Sequence, residues 1–385
     1  MGYTEGATRA YLGLSGMAVT SLTHTAKAAP EPVASGKSRN DNAGLDEASL
    51  FFGGHVAGPV GAFVQVTYDG VGKSVALDNL DVRIAKALSF SGHDLIVGAS
   101  VNNNPTVQDV FNSTPAWGLP FAASALAPES NAGTLLGGGV EMQVLGVSAY
   151  AAWNDFYAEV GAYGSPSQSA LHHVGISRES VLSGAMPYWR FAYTHDFGRT
   201  SMSFGTFGGV GQLHADGDPA APTDRLADIG LDGSLIARPT RHDQLVLNAR
   251  YTHEARSLAG SVATDLASNS HGHVNEWALD GSWYRDQTYG MSAGLFGTNG
   301  SIDTGLYPTE DFTGSRKNGP GTAGYRMQVD VTPWGKEGDS TFGNLRLGLQ
   351  YTGYSRFNGA GSNYDGAGRR ARDNNTLFLF GWLAI

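Results

Sequence analysis

Apolar and polar side chains alternate along much of this chain with a period of two, the repeat of strands whose two faces meet different surroundings. In 325–331, Tyr325, Met327, Val329 and Val331 share one face, and Arg326, Gln328 and Asp330 share the other. Leu345, Leu347, Leu349 and Tyr351 alternate in the same way with Arg346, Gly348, Gln350 and Thr352. Leu245, Leu247, Ala249 and Tyr251 stand against Gln244, Asn248, Arg250 and Thr252. Trp277, Leu279 and Trp283 oppose Glu276, Asp280 and Ser282, while Ile229, Leu231 and Leu235 oppose Asp228, Asp232 and Ser234. Nearer the start, Leu80, Val82 and Ile84 oppose Asn79, Asp81 and Arg83.

A soluble antiparallel sandwich would alternate too, with its apolar face in a core and its polar face in water. Two features point instead to a membrane. Aromatic residues sit near strand ends (Tyr68, Tyr251, Trp277, Trp283, Tyr289, Tyr325 and Tyr351), as an interfacial girdle requires. The second feature is turn spacing. The pattern gives roughly sixteen strands, centred near residues 17, 51, 65, 82, 97, 145, 159, 191, 205, 231, 249, 279, 292, 328, 350 and 380. Connections after even-numbered strands are mostly short: 58–61, 91–94, 154–155, 196–199, 238–243 and 285–287. Those after odd-numbered strands are mostly long: 25–43, 102–138, 164–185, 214–223, 256–270, 299–320 and 358–373. Long loops on one rim and tight turns on the other are the outer-membrane pattern, and a sandwich gives no reason for them. The expected fold is therefore all-β: one transmembrane antiparallel β-barrel domain over 1–385, in the bacterial outer membrane, with both termini on the short-turn, periplasmic rim.

Composition agrees. With 54 Gly, 16% charged and 10% aromatic residues, the 385-residue chain is too apolar for disorder and too Gly-rich for a helical bundle. No apolar run is long enough for a membrane helix, but a closed barrel also satisfies every backbone group in lipid. Lys+Arg of 25 against Asp+Glu of 35 give a net charge of -10, which disfavours a nucleic-acid partner. The absence of Cys removes disulfides, thiolate zinc sites, Cys nucleophiles, iron–sulfur clusters and haem attachment through Cys-x-x-Cys-His. The N-terminus lacks a signal-peptide layout, so the chain is expected to be mature or truncated, with Met1 an added start.

A sixteen-strand lumen is too wide for side chains to fill. The expected pore lining mixes signs: Asp81, Asp228, Asp232, Glu276, Asp280 and Asp330 with Arg83, Arg250, Arg326 and Arg346. Segment 102–111 predicts a short helix, with Asn104 at the N-cap and Pro105 in the first turn, running through Asp109 to Phe111. The following stretch, Thr114 to Phe121 with Trp117, is too apolar for a solvated loop. Loop 102–138 is therefore expected to fold inward and narrow the mouth or lumen, with Pro105, Asp109, Phe111 and Trp117 at the constriction; an extracellular cap is the alternative.

Other chemistry is thin. His271 and His273 with Glu276, or His172 with His173, are weak metal candidates lacking fixed partners, and no metal site is expected. The acidic loop residues Asp216, Asp218, Asp224, Glu310 and Asp311 could attract cations, but most such carboxylates are simply solvated. Gly137-Gly138-Gly139 precedes a strand rather than a helix, against a phosphate loop. No catalytic triad can be chosen over its competitors, so no catalytic residue is assigned.

Several motifs carry a resemblance. Asn103 to Asp109 with Thr114-Pro115-Ala116-Trp117-Gly118, then Gly348-Leu349-Gln350-Tyr351-Thr352, Arg356-Phe357-Asn358-Gly359, Asn363-Tyr364-Asp365-Gly366 and Asp373 to Leu377, resemble the porin part of fused outer-membrane cytochrome-porins. The likeness covers the loop after the fifth strand and the last fifth of the chain, and elsewhere only the architecture. It implies a barrel that sheaths a c-type haem module carried on an upstream segment, with periplasmic electron carriers as partners and a link to Fe(II) oxidation. Two departures stand out. The family's Cys-x-x-Cys-His segment is absent, the chain opening at Gly2-Tyr3-Thr4, and Ile385 replaces the usual aromatic ending, although Phe378, Phe380 and Trp382 lie close by. Two functions follow as expectations, an electron-conduit sheath and a passive diffusion porin; a soluble β-sandwich binding protein is a third.

Overall fold

The computed structural model describes residues 11–105, 119–335 and 343–385. Its first eight strands are β1 (Tyr11–Thr25), β2 (Asp41–Ala57), β3 (Val60–Asp69), β4 (Ser74–Phe90), β5 (His93–Asn102), β6 (Leu145–Trp153), β7 (Phe156–Gly164) and β8 (Met186–Phe197). The remaining ones are β9 (Thr200–His214), β10 (Thr223–Ala237), β11 (Asp243–Ser257), β12 (His271–Arg285), β13 (Tyr289–Gly300), β14 (Thr322–Val331), β15 (Asn344–Arg356) and β16 (Thr376–Ala384). Each pairs antiparallel with its sequence neighbours, and β1 pairs with β16 from Met17↔Ala384 to Thr25↔Thr376, closing a barrel with no free edge. Every centre expected from the sequence falls inside a strand.

Burial identifies which face looks where, and it is inverted relative to a soluble protein. On β10 the apolar Ile229 and Leu231 are 53% and 61% exposed, while their neighbours Asp228 and Asp232 are 5% and 7% exposed. Leu247, Leu279, Met291, Met327, Val329, Leu349 and Leu379 continue this exposed apolar surface around the outside, and Ser234, Asn248, Thr252, Gln328 and Gln350 are buried inside. Such an outer face is stable in hydrocarbon and not in water. The shortest strands have nine residues, enough for a tilted strand to cross a bilayer. Phe90, Phe156, Tyr193, Phe197 and Tyr289 lie exposed at the short-turn rim, and Tyr68, Tyr325 and Tyr351 towards the long-loop rim. These are the two aromatic belts that a bilayer's interfaces favour. The apolar faces meet no second sheet, which removes the sandwich.

The lumen also holds an apolar cluster that alternation alone did not reveal. Leu135, Leu136, Val140 and Val144 pack on Tyr163, Leu182, Met186, Tyr188 and Phe207, all buried. Phe207 lies flat over Gly230, where an added Cβ would stand 2.2 Å from its ring, so only glycine admits this packing.

Candidate functional site

The described part of the 102–138 loop runs along the inner wall. Its first attachment is polar: the Gln328 side chain donates to the Pro120 carbonyl (3.2 Å) and accepts from the Ala122 amide (3.3 Å), and Gln350 donates to the Ala122 carbonyl at 2.7 Å. Ser124 and Thr23 of β1 share a hydroxyl hydrogen bond of 2.8 Å, and Tyr354 of β15 donates to the Pro128 carbonyl at 3.0 Å. Further along, Arg256 donates to the Gly133 carbonyl at 2.8 Å. The Leu135 amide donates to Glu254 (2.6 Å) and the Leu136 amide to Asp228 (2.8 Å). Hydrogen bonds that include a charged partner are the stronger kind, about 1.5–3 kcal/mol each. Side chains of β1, β10, β11, β12, β14 and β15 thus hold this segment, with Thr134 reaching Glu276 at 3.4 Å.

All ten residues expected to line the pore face inward. Asp81 and Arg83 pair at 2.6 Å, Arg250 and Glu276 at 2.5 Å, and Arg346 and Asp330 at 2.8 Å. Asp280 accepts from Asn248 at 3.0 Å. Asp232 pairs not with Arg250, its register neighbour on β11, but with Arg190 of β8, through two hydrogen bonds of 2.6 and 3.0 Å. This pair reaches over β9 at Gly205, where a Cβ would stand 2.7 Å from Asp232. Arg326 makes no ion pair among the described residues: its guanidinium lies over the rings of Phe121 (5.1 Å) and Phe296 (5.4 Å), and its Nε is buried without a hydrogen-bond partner among those residues.

Pro105 is buried, whereas Asp109, Phe111 and Trp117, and the helix expected after Asn104, lie outside the described residues. Sequence reading missed Arg190, Glu254 and Arg256. The last two continue the Asn248, Arg250, Thr252 face, so extending the same alternation would have found them. It also missed Asp46 and Glu47, which sit beside a bulge in the β1–β2 pairing that breaks the period. The metal candidates do not assemble: His271 and His273 are exposed on the outward face of β12, Glu276 faces inward, and His172 and His173 end the six-residue helix α1 (Gln168–His173). Among the described residues no group of three or more His, Asp or Glu is placed to hold a metal.

A cavity of about 450 Å³ lies between the loop and the neighbouring wall at β2 and β3. Leu119, Phe121, Ala122 to Ala125, Glu129 and Arg326 form one side, and Asp46, Glu47, Thr67 and Asp69 of β2 and β3 form the other. Beyond the strands, Glu141 sits at the foot of the loop, accepting from Asn104 at 3.1 Å. Burial, with the nearby negative charge of Asp78, pushes its carboxyl up to about 7. In the long-loop crown, burial works against the charge of Asp303, but backbone amides of Ser268, Leu306, Asn269 and Gly305 hold its carboxyl below the usual range.

These features define the class: a sixteen-strand membrane-spanning barrel with a charged lumen and an inward loop. The solved structures similar to it are outer-membrane porins. They include an anion-selective porin from Comamonas acidovorans (13% identity, 97% of this chain and 99% of that one, TM-score 0.51). The outer-membrane channel DcaP of Acinetobacter baumannii matches at 12% identity over 100% and 99%, TM-score 0.50. Salmonella typhi OmpF, in complex with daunomycin, matches at 11% over 97% of each chain, TM-score 0.52. No family model and no curated protein sequence matches the chain. At these identities the likeness establishes the fold. Together with the apolar outer band, it makes the chain a porin-like barrel of the bacterial outer membrane.

Proposed function

We propose that this barrel is a passive diffusion channel for small water-soluble solutes, narrowed by the inward loop. The observation that carries this reading is the fixed course of the loop along the inner wall. The cavity it leaves beside β2 and β3 is on the scale of sites that hold single small molecules, about 300–1,000 Å³. A paired, mixed-charge wall such as Asp81–Arg83 and Arg346–Asp330 keeps the lumen wet.

The conduit reading asks the same lumen to take in a haem module beside segment 119–136, which is bonded to β1, β10, β11, β12, β14 and β15. The chain's own residues do not fit a haem. It has no Cys for attachment, and its described lumen-facing histidine, His55, bonds the Gly58 carbonyl in a short turn. Any haem would have to bring its own ligands on another segment. The test is reconstitution of the full chain in planar bilayers. Stepwise ohmic currents in KCl and swelling of proteoliposomes in small neutral sugars are the expected result. A closed barrel, purified from outer membranes with a c-type Soret band and a mass several kilodaltons above 40.4 kDa, would overturn the proposal in favour of the conduit.

A further inference from the structure

The cavity between loop and wall is lined by opposite charges that form no ion pair among the described residues. Asp46 is 9% exposed and lines the cavity, yet its Oδ2 has no hydrogen-bond partner among the described residues. Beside it, Glu47 lines the same cavity and makes no ion pair or hydrogen bond among the described residues. Lys37 is within electrostatic reach of Asp46 but forms no ion pair with it. Across the cavity, the Arg326 Nε is also buried and has no hydrogen-bond partner among the described residues. Its carboxylate neighbours Asp280 and Glu129 act on it only at a distance, and neither forms an ion pair with it. Elsewhere in the lumen Arg83, Arg190, Arg250, Arg256 and Arg346 are each paired with a carboxylate. A buried charge without a partner is costly, so two of opposite sign facing one space call for a ligand that satisfies both. Between them lie the apolar Leu119, Phe121 and Ala123.

We propose that this cavity recognises zwitterionic solutes of the amino-acid class, with the ammonium on Asp46 and Glu47, the carboxylate on Arg326 and the apolar body along Leu119 and Phe121. The inference rests on the diffusion-channel reading and names its solute. Arginine suits the carboxylate because its planar guanidinium matches that group, and two carboxylates suit an ammonium with three donors.

The test uses single-channel currents of the full chain in KCl, with L-leucine, L-leucinamide or 4-methylpentanoate added as the probe. These share an apolar body and carry both charges, only the positive one, or only the negative one. L-Leucine is expected to half-block the current at a concentration about tenfold below either of the others, the factor one charged hydrogen bond supplies. Arg326→Gln should bring leucine to the leucinamide value, and Asp46→Asn should bring it towards the 4-methylpentanoate value. Folding of each variant is checked by its heat-shifted mobility in SDS. The wild-type comparison decides even if a variant fails to fold. Leucinamide equal to or better than leucine means a simple cation preference and overturns the proposal, as does equal block by all three. Channel currents without leucine preference sink this inference alone, and absence of any current sinks the diffusion reading with it.

Discussion

Replacing Leu231 by Arg tests whether the exposed apolar face meets lipid or water. Leu231 is 61% exposed near the middle of β10, opposite Thr206 on β9 and Tyr251 on β11. In water, a surface substitution at so open a site would change stability by no more than about 0.5 kcal/mol. At the midplane of a bilayer, Arg on the lipid face of a barrel costs about 2–4 kcal/mol, falling to about 0–1 near the interfaces. Leu245, 37% exposed near the short-turn end of β11 and paired with Trp283 of β12, supplies the internal control. Leu231→Arg is therefore expected to lose about 3 kcal/mol, two orders of magnitude in the folding equilibrium, and Leu245→Arg less than about 1. The assay is urea unfolding of the barrel in phospholipid vesicles, followed by tryptophan fluorescence and by protection from protease. Equal costs at the two positions, or a Leu231→Arg variant as stable as wild type, would refute the assignment of this face to lipid.

Further outcomes follow from the interior. Glu141→Gln should stabilise the protein at pH 8: the native carboxyl holds its proton up to about 7 and the unfolded one releases it near 4.5, so wild-type stability falls as pH rises between them. The fall is about 3 kcal/mol at most, and urea titrations at pH 4.5, 6 and 8 should show it in the wild type and not in the variant. Gly205→Ala places a methyl against the Arg190–Asp232 pair and should cost about 1–3 kcal/mol in the same assay, an unchanged midpoint counting against that bridge. Asp303→Ala removes the acceptor for four backbone amides in the long-loop crown. Limited proteolysis should then cut within 258–270 or 301–321 several-fold faster while the barrel stays intact.

Strand number, strand faces and rim asymmetry were legible in the sequence, because a membrane barrel repeats one local rule. On β10, Asp228 and Asp232 had to share a face opposite Ile229 and Leu231 whatever lay around them, since side chains alternate with a period of two. The polar lumen followed from the same rule. What the period cannot carry is distance between strands. That Asp232 pairs with Arg190 across Gly205, and not with Arg250 beside it in register, depends on a missing side chain on the strand between the two partners. The loop's course is of the same kind. Leu135 and Leu136 settle on Tyr163, Tyr188 and Phe207, and their amides on Glu254 and Asp228, from strands distant in sequence. Composition marked the loop as too apolar for open solvent, but only the closed barrel could set Phe121 over Arg326 and bring both to face Asp46. Local alternation determined the wall; the three-dimensional closure of the sheet decided which charges on it pair with one another and which do not.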